Sequence, residues 1–266
     1  MLKYRTMTAF VLLLIIIGMI WLLPAPWFAA LAVIFFAVGA WEWSRLVGLH
    51  AFYKRCLYFA LVLSVIFLAY LIPPDGLLWL GVLVWLWAGA SVLSYQRGLN
   101  ALGFQYPFVK GFCGLWMLAA CWKALVILQA ASPVWLFLAF VVIWAVDTGA
   151  YFSGRRWGHG LLAPRISPQK TWQGFWGGLC FGVLIVSALM LWFPMVWQQR
   201  LGWVVVAIIC ALFAVMGDLF VSLLKRQVGV KDTGSLLPGH GGFLDRVDST
   251  ISTLPVFALG FLWLGS

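Results

Sequence analysis

Charge is scarce in this sequence. Asp, Glu, Lys and Arg make up only 9% of its 266 residues, where a water-soluble domain carries roughly a quarter. A solvated globular surface is thereby excluded. Acidic residues are scarcer still, seven against seventeen Lys and Arg, for a formal net charge of +10. In their place are hydrophobic residues at 65% and a mean hydropathy of +1.04, the composition of an integral membrane protein. In that class a basic excess reports topology and contact with anionic headgroups rather than nucleic acid. The eighteen Trp and twenty-one Phe suit the lipid–water interfaces and the packing between spans.

Several spacings that announce a chemistry are also missing. The five cysteines (Cys56, Cys113, Cys121, Cys180 and Cys210) contain no CxxC pair. They read as small apolar packing residues, without disulfides or a zinc site. No GxxxxGK[ST], HExxH or GxSxG run occurs, which disfavours a P-loop motor and a serine-type lipase. No internal repeat or low-complexity linker divides the chain. One polytopic domain over 1–266 is expected, with N-terminal spans in 1–130 and a catalytic part in 131–266. Lys3 and Arg5 before an apolar run mimic a signal peptide, but no A-x-A site follows, so a retained first span is expected.

Apolar runs between Pro-marked breaks predict an all-α bundle of nine spans, at about 8–23, 27–44, 57–72, 76–95, 108–128, 134–153, 173–193, 201–223 and 250–265. Positive charge tests this map. With the N-terminus in the cytoplasm, all of the seventeen Lys and Arg except Lys123 and Arg200 fall on the inner side. Lys123 lies near a helix end, from which it can snorkel. The loops at 45–56 and 96–110 then read as basic topology anchors that touch anionic lipid. The C-terminus is expected outside.

Two later inner loops carry more than topology. The first begins inside a span with Asp147 and Tyr151, four residues apart and so on one helical face. It continues through Gly154, Arg155, Arg156, Gly158 and Gly160 to Ser167-Pro168-Gln169-Lys170-Thr171. Backbone N–H groups of such glycines can wrap phosphate oxygens. A carboxylate inside a span marks either a functional site or a buried structural pair. For Asp147, read in isolation, both remain open.

The second loop is the densest charge in the chain. Gly217 to Asp248 holds four of the seven acidic residues (Asp218, Asp232, Asp245 and Asp248) together with Lys225, Arg226, Lys231 and Arg246. Asp218, Ser222 and Lys225 share one helical face, and Asp245 and Asp248 share another if helical, with Ser249 or Thr250 able to cap that helix start. Between them runs Pro238-Gly239-His240-Gly241-Gly242. Carboxylates crowded together repel unless a cation separates them. Hard divalent ions accept carboxylate oxygens and share their remaining positions with substrate phosphates, which Lys and Arg can also bind. The pattern points to metal-assisted phosphoryl or nucleotidyl transfer. His240 is open between a phosphate contact and a structural place in the turn.

The run from Ser222 to Asp248, through Lys225-Arg226, Lys231-Asp232, Gly234, Leu237-Pro238-Gly239-His240-Gly241-Gly242-Phe243-Leu244-Asp245-Arg246-Val247-Asp248, resembles the signature of the CDP-diacylglycerol synthase (phosphatidate cytidylyltransferase) family. Asp147, Tyr151, Gly154 and Ser167-Pro168-x-Lys170-Thr171 resemble a second block of that family, so the likeness covers roughly 144–250. The resemblance implies the reaction of CTP with phosphatidate to give CDP-diacylglycerol and pyrophosphate at the cytoplasmic side of a cell (inner) membrane. It implies a homodimeric multi-span enzyme with Mg²⁺ as cofactor, K⁺ as a candidate second ion, and Asp218, Asp245 and Asp248 around the metal. Lys225, Arg226, Lys231 and Arg246 are expected on phosphates, with Ser222, Asp232, His240, Gly241 and Gly242 beside them. Ser167 and Lys170 would close the site, and Asp147 and Tyr151 would shape its membrane side. One departure stands out: the family's Lys-Thr-x-Glu-Gly reads Lys-Thr-Trp-Gln173-Gly here. The competing classes are a CDP-alcohol phosphotransferase, whose DG-x2-AR run is absent, a polyprenyl transferase, and a transporter carrying a cation on Asp147 and Asp218.

Overall fold

Proline marks where most of the long helices begin. The computed structural model describes residues 14–234, 236 and 241–265. A helical stretch over 14–22 (α1) is followed by α2 (Ala25–Val47), α3 (Phe52–Leu71), α4 (Pro74–Gln96), α5 (Pro107–Ala131) and α6 (Pro133–Trp157). All of these from α2 onward except α3 carry Pro in the first helical turn, where no backbone donor is lost. Next come a short hairpin, β1 (Leu161–Ala163) and β2 (Ser167–Thr171), then α7 (Trp172–Leu189), α8 (Trp197–Gln227) and α9 (Leu244–Leu264). Among the described residues eight helices, α2 to α9, are long and apolar enough to cross a membrane. The chain is an all-α polytopic membrane protein.

Three features differ from the expected map. The polar segment after α6 is an antiparallel hairpin, with Leu161 opposite Thr171 and Ala163 opposite Ser167. The Thr171 hydroxyl then accepts from Gly174 N at 3.1 Å and caps α7. Helix α8 is 31 residues long, about 46 Å at 1.5 Å per residue, against a hydrocarbon core of roughly 30 Å. It is thus longer than one crossing needs, and it carries Ser222, Lys225 and Arg226 in its last two turns on continuous helix. Helix α9 begins at Leu244, six residues before the expected 250, because its first turn is capped by a distant side chain described below. Asp245 and Asp248 are consequently helical and share a face.

The helix ends that bear positive charge meet at one end of the bundle. Arg45, near the end of α2, donates to Thr233 O at 3.2 Å. Arg226, near the end of α8, donates to Ile166 O at 3.2 Å and pins the hairpin turn. Arg165 in that turn packs on Gly98, just after α4. Lys123 lies at the other end, where its ammonium caps α3: it donates to Tyr70 O at 3.5 Å in the last turn and to Ile72 O at 2.8 Å just past it. Trp43, Trp85, Trp203, Phe104, Phe220 and Phe257 fill the buried core.

Candidate active site

Helices α8 and α9 bring the charged residues together because they cross at a glycine. A Cβ on Gly217 would lie 2.5 Å from Asp248 O and would collide with Ser252 Oγ. Any larger residue at 217 would push α9 away, and the next residue is Asp218. At this crossing Asp218 of α8 and Asp248 of α9 share a polar pocket with Asp147 of α6 and Lys170 of β2. Lys170 forms an ion pair with Asp218, and both side chains are about 30% exposed. Ser222 Oγ donates to Asp218 Oδ1 at 3.4 Å, one turn away on the same face. Ser249 Oγ donates to Asp147 Oδ1 at 3.5 Å, and Ser249 N donates to Asp248 Oδ1 at 2.8 Å.

Lys170 reports the charge of this pocket. Burial works to lower its pKa, but Asp218 first, and then Asp147 and Asp248, outweigh burial and hold the ammonium above the ordinary lysine value. Three carboxylates thus surround one ammonium. Carboxylates outnumber the ammonium, and of the four side chains Asp147 is exposed while Lys170, Asp218 and Asp248 are half-buried.

A second carboxylate group, Asp245 and Glu42, sits toward the charged end of the bundle, and its oxygens are met by many more donors. Lys225, two turns beyond Asp218 on α8, reaches Asp245 Oδ1 at 2.7 Å. Asp245 Oδ2 accepts from Thr233 N at 2.8 Å and from Gly242 N at 3.0 Å. The Thr233 hydroxyl lies between two acids, 3.0 Å from Asp245 Oδ2 and 2.8 Å from Glu42 Oε2. Glu42 of α2 also accepts from Phe243 N at 2.9 Å and Leu244 N at 2.8 Å. This carboxylate satisfies the free donors at the start of α9 and complements that end of the helix dipole. Gly242 must lack a side chain, since a Cβ there would fall 2.5 Å from Gly234 N and 2.6 Å from Glu42 Oε2. Gly241, at φ +83°, takes a left-handed conformation and passes between Asp232 and Asp245.

Most of the expected residues lie in or beside these two groups. Asp147, Lys170, Asp218, Ser222 and Asp248 form the first, and Lys225, Asp245 and Gly242 the second, with Gly241 and the exposed Asp232 at its edge. Lys231, Arg226 and Arg246 are exposed nearby in sequence. Tyr151 is exposed, and its hydroxyl accepts from Arg155 at 2.8 Å. Among the described residues neither Tyr151 nor Ser167 hydrogen-bonds to either group. His240 lies outside the described residues. Glu42 and Thr233 were not anticipated. Glu42 had a signal, being the only Glu in the chain and lying in an apolar run, which by default marks a buried partner or a site.

The departure at position 173 has a structural answer. Gln173 Oε1 accepts from His159 N at 3.1 Å and Gly160 N at 3.3 Å, closing the loop before the hairpin. A neutral amide oxygen performs this task as a carboxylate would, so no charge is required there.

Among the described residues eight long apolar helices, with charged side chains gathered at one end of the bundle, define a polytopic membrane protein. The chain belongs to the cytidylyltransferase family, which it matches from residue 3 to residue 263, and is a CTP-using nucleotidyltransferase. It is 37% identical over 267 residues to the phosphatidate cytidylyltransferase of Pseudomonas aeruginosa, covering 99% of this chain and 97% of that one. It is 30% identical to the protein of the same name from Haemophilus influenzae, covering 99% and 100%. A Staphylococcus aureus protein of that name is 48% identical over 124 residues, 46% of each chain.

Proposed function

We propose that this chain transfers the cytidylyl group of CTP to phosphatidate, forming CDP-diacylglycerol and pyrophosphate. The observation that carries this reading is the pocket in which Asp147, Asp218 and Asp248 surround Lys170, beside a loop of glycines and basic residues. An oxygen of the lipid phosphate monoester attacks the α-phosphorus of CTP. The bond from that phosphorus to the bridging oxygen of the β-phosphate breaks, and pyrophosphate departs. The monoester is already ionised near neutral pH, so no protein base is needed. The protein's tasks are to align two polyanions and to offset their charge.

Magnesium fits the residues present. Among the described residues no group of three or more His, Cys, Asp or Glu side chains forms a ready metal cage. Mg²⁺ is commonly held by only one or two carboxylates, with substrate phosphates supplying further ligands. Asp218 and Asp248 would hold it, and Asp245 can join through Oδ1, which is engaged by Lys225 alone while Oδ2 takes all the loop donors. When bound, the ion would polarise the phosphates and neutralise departing pyrophosphate. Lys170 and Lys225, which pair with these acids here, would turn to phosphate oxygens as substrates enter. Arg226, Lys231 and Arg246 line the approach for the triphosphate.

The distribution of Lys and Arg supports a cytoplasmic site in a cell membrane with the N-terminus inside. A homodimer is proposed on the family resemblance and is read by crosslinking in membranes. The catalytic proposal is tested with purified protein, CTP, phosphatidate and Mg²⁺. CDP-lipid and pyrophosphate should appear in equal amounts, and pyrophosphate release that does not depend on the lipid would overturn it.

A further inference from the structure

A cavity of about 720 Å³ opens between α2, α3 and the segment around Gly234 and Leu236. Its size is that of a ligand site, which runs from roughly 300 to 1,000 Å³. The lining is graded. Ile34 and Val38 of α2 and Phe59 of α3 are apolar, whereas Arg45 is in the last turn of α2 and Arg55 in the first turn of α3. The connection 48–51 joins these two turns, so both guanidiniums lie at the same end. From Ile34 to Arg45 the helix rises roughly 16 Å, about half of a ~30 Å hydrocarbon core. A groove of this length matches one acyl chain with a polar head above it.

Among the described residues neither guanidinium is ion-paired to a carboxylate. Among the described residues the ion pairs are Lys170–Asp218 and Lys225–Asp245. Glu42 also lines the cavity, but its oxygens are engaged by Thr233, Phe243 and Leu244. Arg55 lies 3.9 Å over the Trp41 ring and donates Nε to Ser44 Oγ and Nη2 to Trp41 O. Arg45 donates Nη1 to Thr233 O. A guanidinium has five N–H donors, so both retain several for an occupant, in the forked geometry that suits phosphate.

We propose that this groove binds an anionic diacyl phospholipid of the surrounding leaflet, with its phosphate on Arg45 and Arg55 and one acyl chain along Ile34, Val38 and Phe59. The site is separate from the carboxylate pocket but linked to it. Arg45 holds Thr233 O, and Thr233 N holds Asp245 Oδ2. An occupant that orders Arg45 therefore steadies the loop that orients α9.

The test is native mass spectrometry of the delipidated full chain titrated with phosphatidylglycerol. This lipid is a phosphodiester and cannot serve as the cytidylyl acceptor, so its binding is independent of the catalytic reading. Phosphatidylglycerol should add as one saturable adduct that phosphatidylcholine does not displace. Arg55→Gln, which removes charge-assisted hydrogen bonds, should weaken it about tenfold. Ala37→Phe should weaken it similarly by filling the apolar part while leaving both Arg in place, and it decides the matter if Arg55→Gln fails to fold. Equal retention of phosphatidylglycerol by wild type and Ala37→Phe, or equal retention of the two lipids by wild type, would overturn the proposal.

Discussion

Asp245 and Asp248 are one helical turn apart on α9, yet they sit in opposite electrostatic surroundings. Asp245 is held by an ammonium and two backbone N–H groups, with the Thr233 hydroxyl also within reach. Asp248 lies with Asp147 and Asp218 around the single ammonium of Lys170. A carboxylate that is fully hydrogen-bonded by its own protein orders the chain around it. One left in a surplus of like charge is costly to the fold, and that cost is tolerated where a cation or a substrate completes the balance. On the proposed function the lower pocket is the part organised for ligands, while the upper group holds it in shape and offers them only Asp245 Oδ1 and Lys225.

The sharpest way to break this contrast is to neutralise the lower pocket. Asp218→Asn and Asp147→Asn separate charge from shape. Asp218→Asn should cut pyrophosphate release by about 10²–10³-fold, the scale seen when an aligned electrostatic group is removed, while the protein still inserts and purifies. Near-normal turnover would remove Asp218 from the centre. Next in size is Glu42→Ala in the upper group. Phe243 N and Leu244 N would lose their acceptor, whereas the Thr233 hydroxyl keeps Asp245 Oδ2, and at about 1–3 kcal/mol per unsatisfied buried group thermal unfolding in detergent should fall clearly. An unchanged midpoint would mean that α9 does not depend on this cap. Lys170→Met should raise the KM for CTP about tenfold, equivalent to roughly 1.4 kcal/mol, with a smaller change in kcat. The smallest effect belongs to Gln173→Glu. The two backbone donors keep an acceptor, so steady-state rates should stay within about twofold, since replacing one satisfied acceptor by another is nearly neutral. A large gain would show that the missing charge matters.

What could be read from the sequence follows from the range of each interaction. Asp218, Ser222 and Lys225 are spaced for one helical face, and the structure places Ser222 on Asp218 and keeps Lys225 on that side. Apolar runs bounded by Pro located α2 to α9 to within a few residues at most ends. The start of α9 was missed because its cap, Glu42, lies 202 positions from Leu244 in the chain. The hairpin β1–β2 has no strand signal in the sequence, because the five residues of β2, Ser-Pro-Gln-Lys-Thr, carry no apolar alternation and include a proline. In the sequence Asp218, Asp245 and Asp248 read as one cluster, Asp147 as part of another block and Glu42 as neither, since charge counting does not reveal which acid is already satisfied. Distinguishing them required the donors on Thr233 and Gly242, which are backbone groups with no signature in residue type.

The most direct measurement compares thermal unfolding of purified Asp248→Asn and Asp245→Asn with wild type, without metal or nucleotide. Neutralising Asp248 relieves repulsion in the lower pocket, so its midpoint should equal or exceed that of wild type. Neutralising Asp245 leaves the mostly buried Lys225 ammonium unpaired, a loss on the order of 3–5 kcal/mol for a buried pair, so its midpoint should fall well below. The reverse order, with Asp248→Asn the less stable variant, would contradict the assignment of ligand binding to one group and scaffolding to the other.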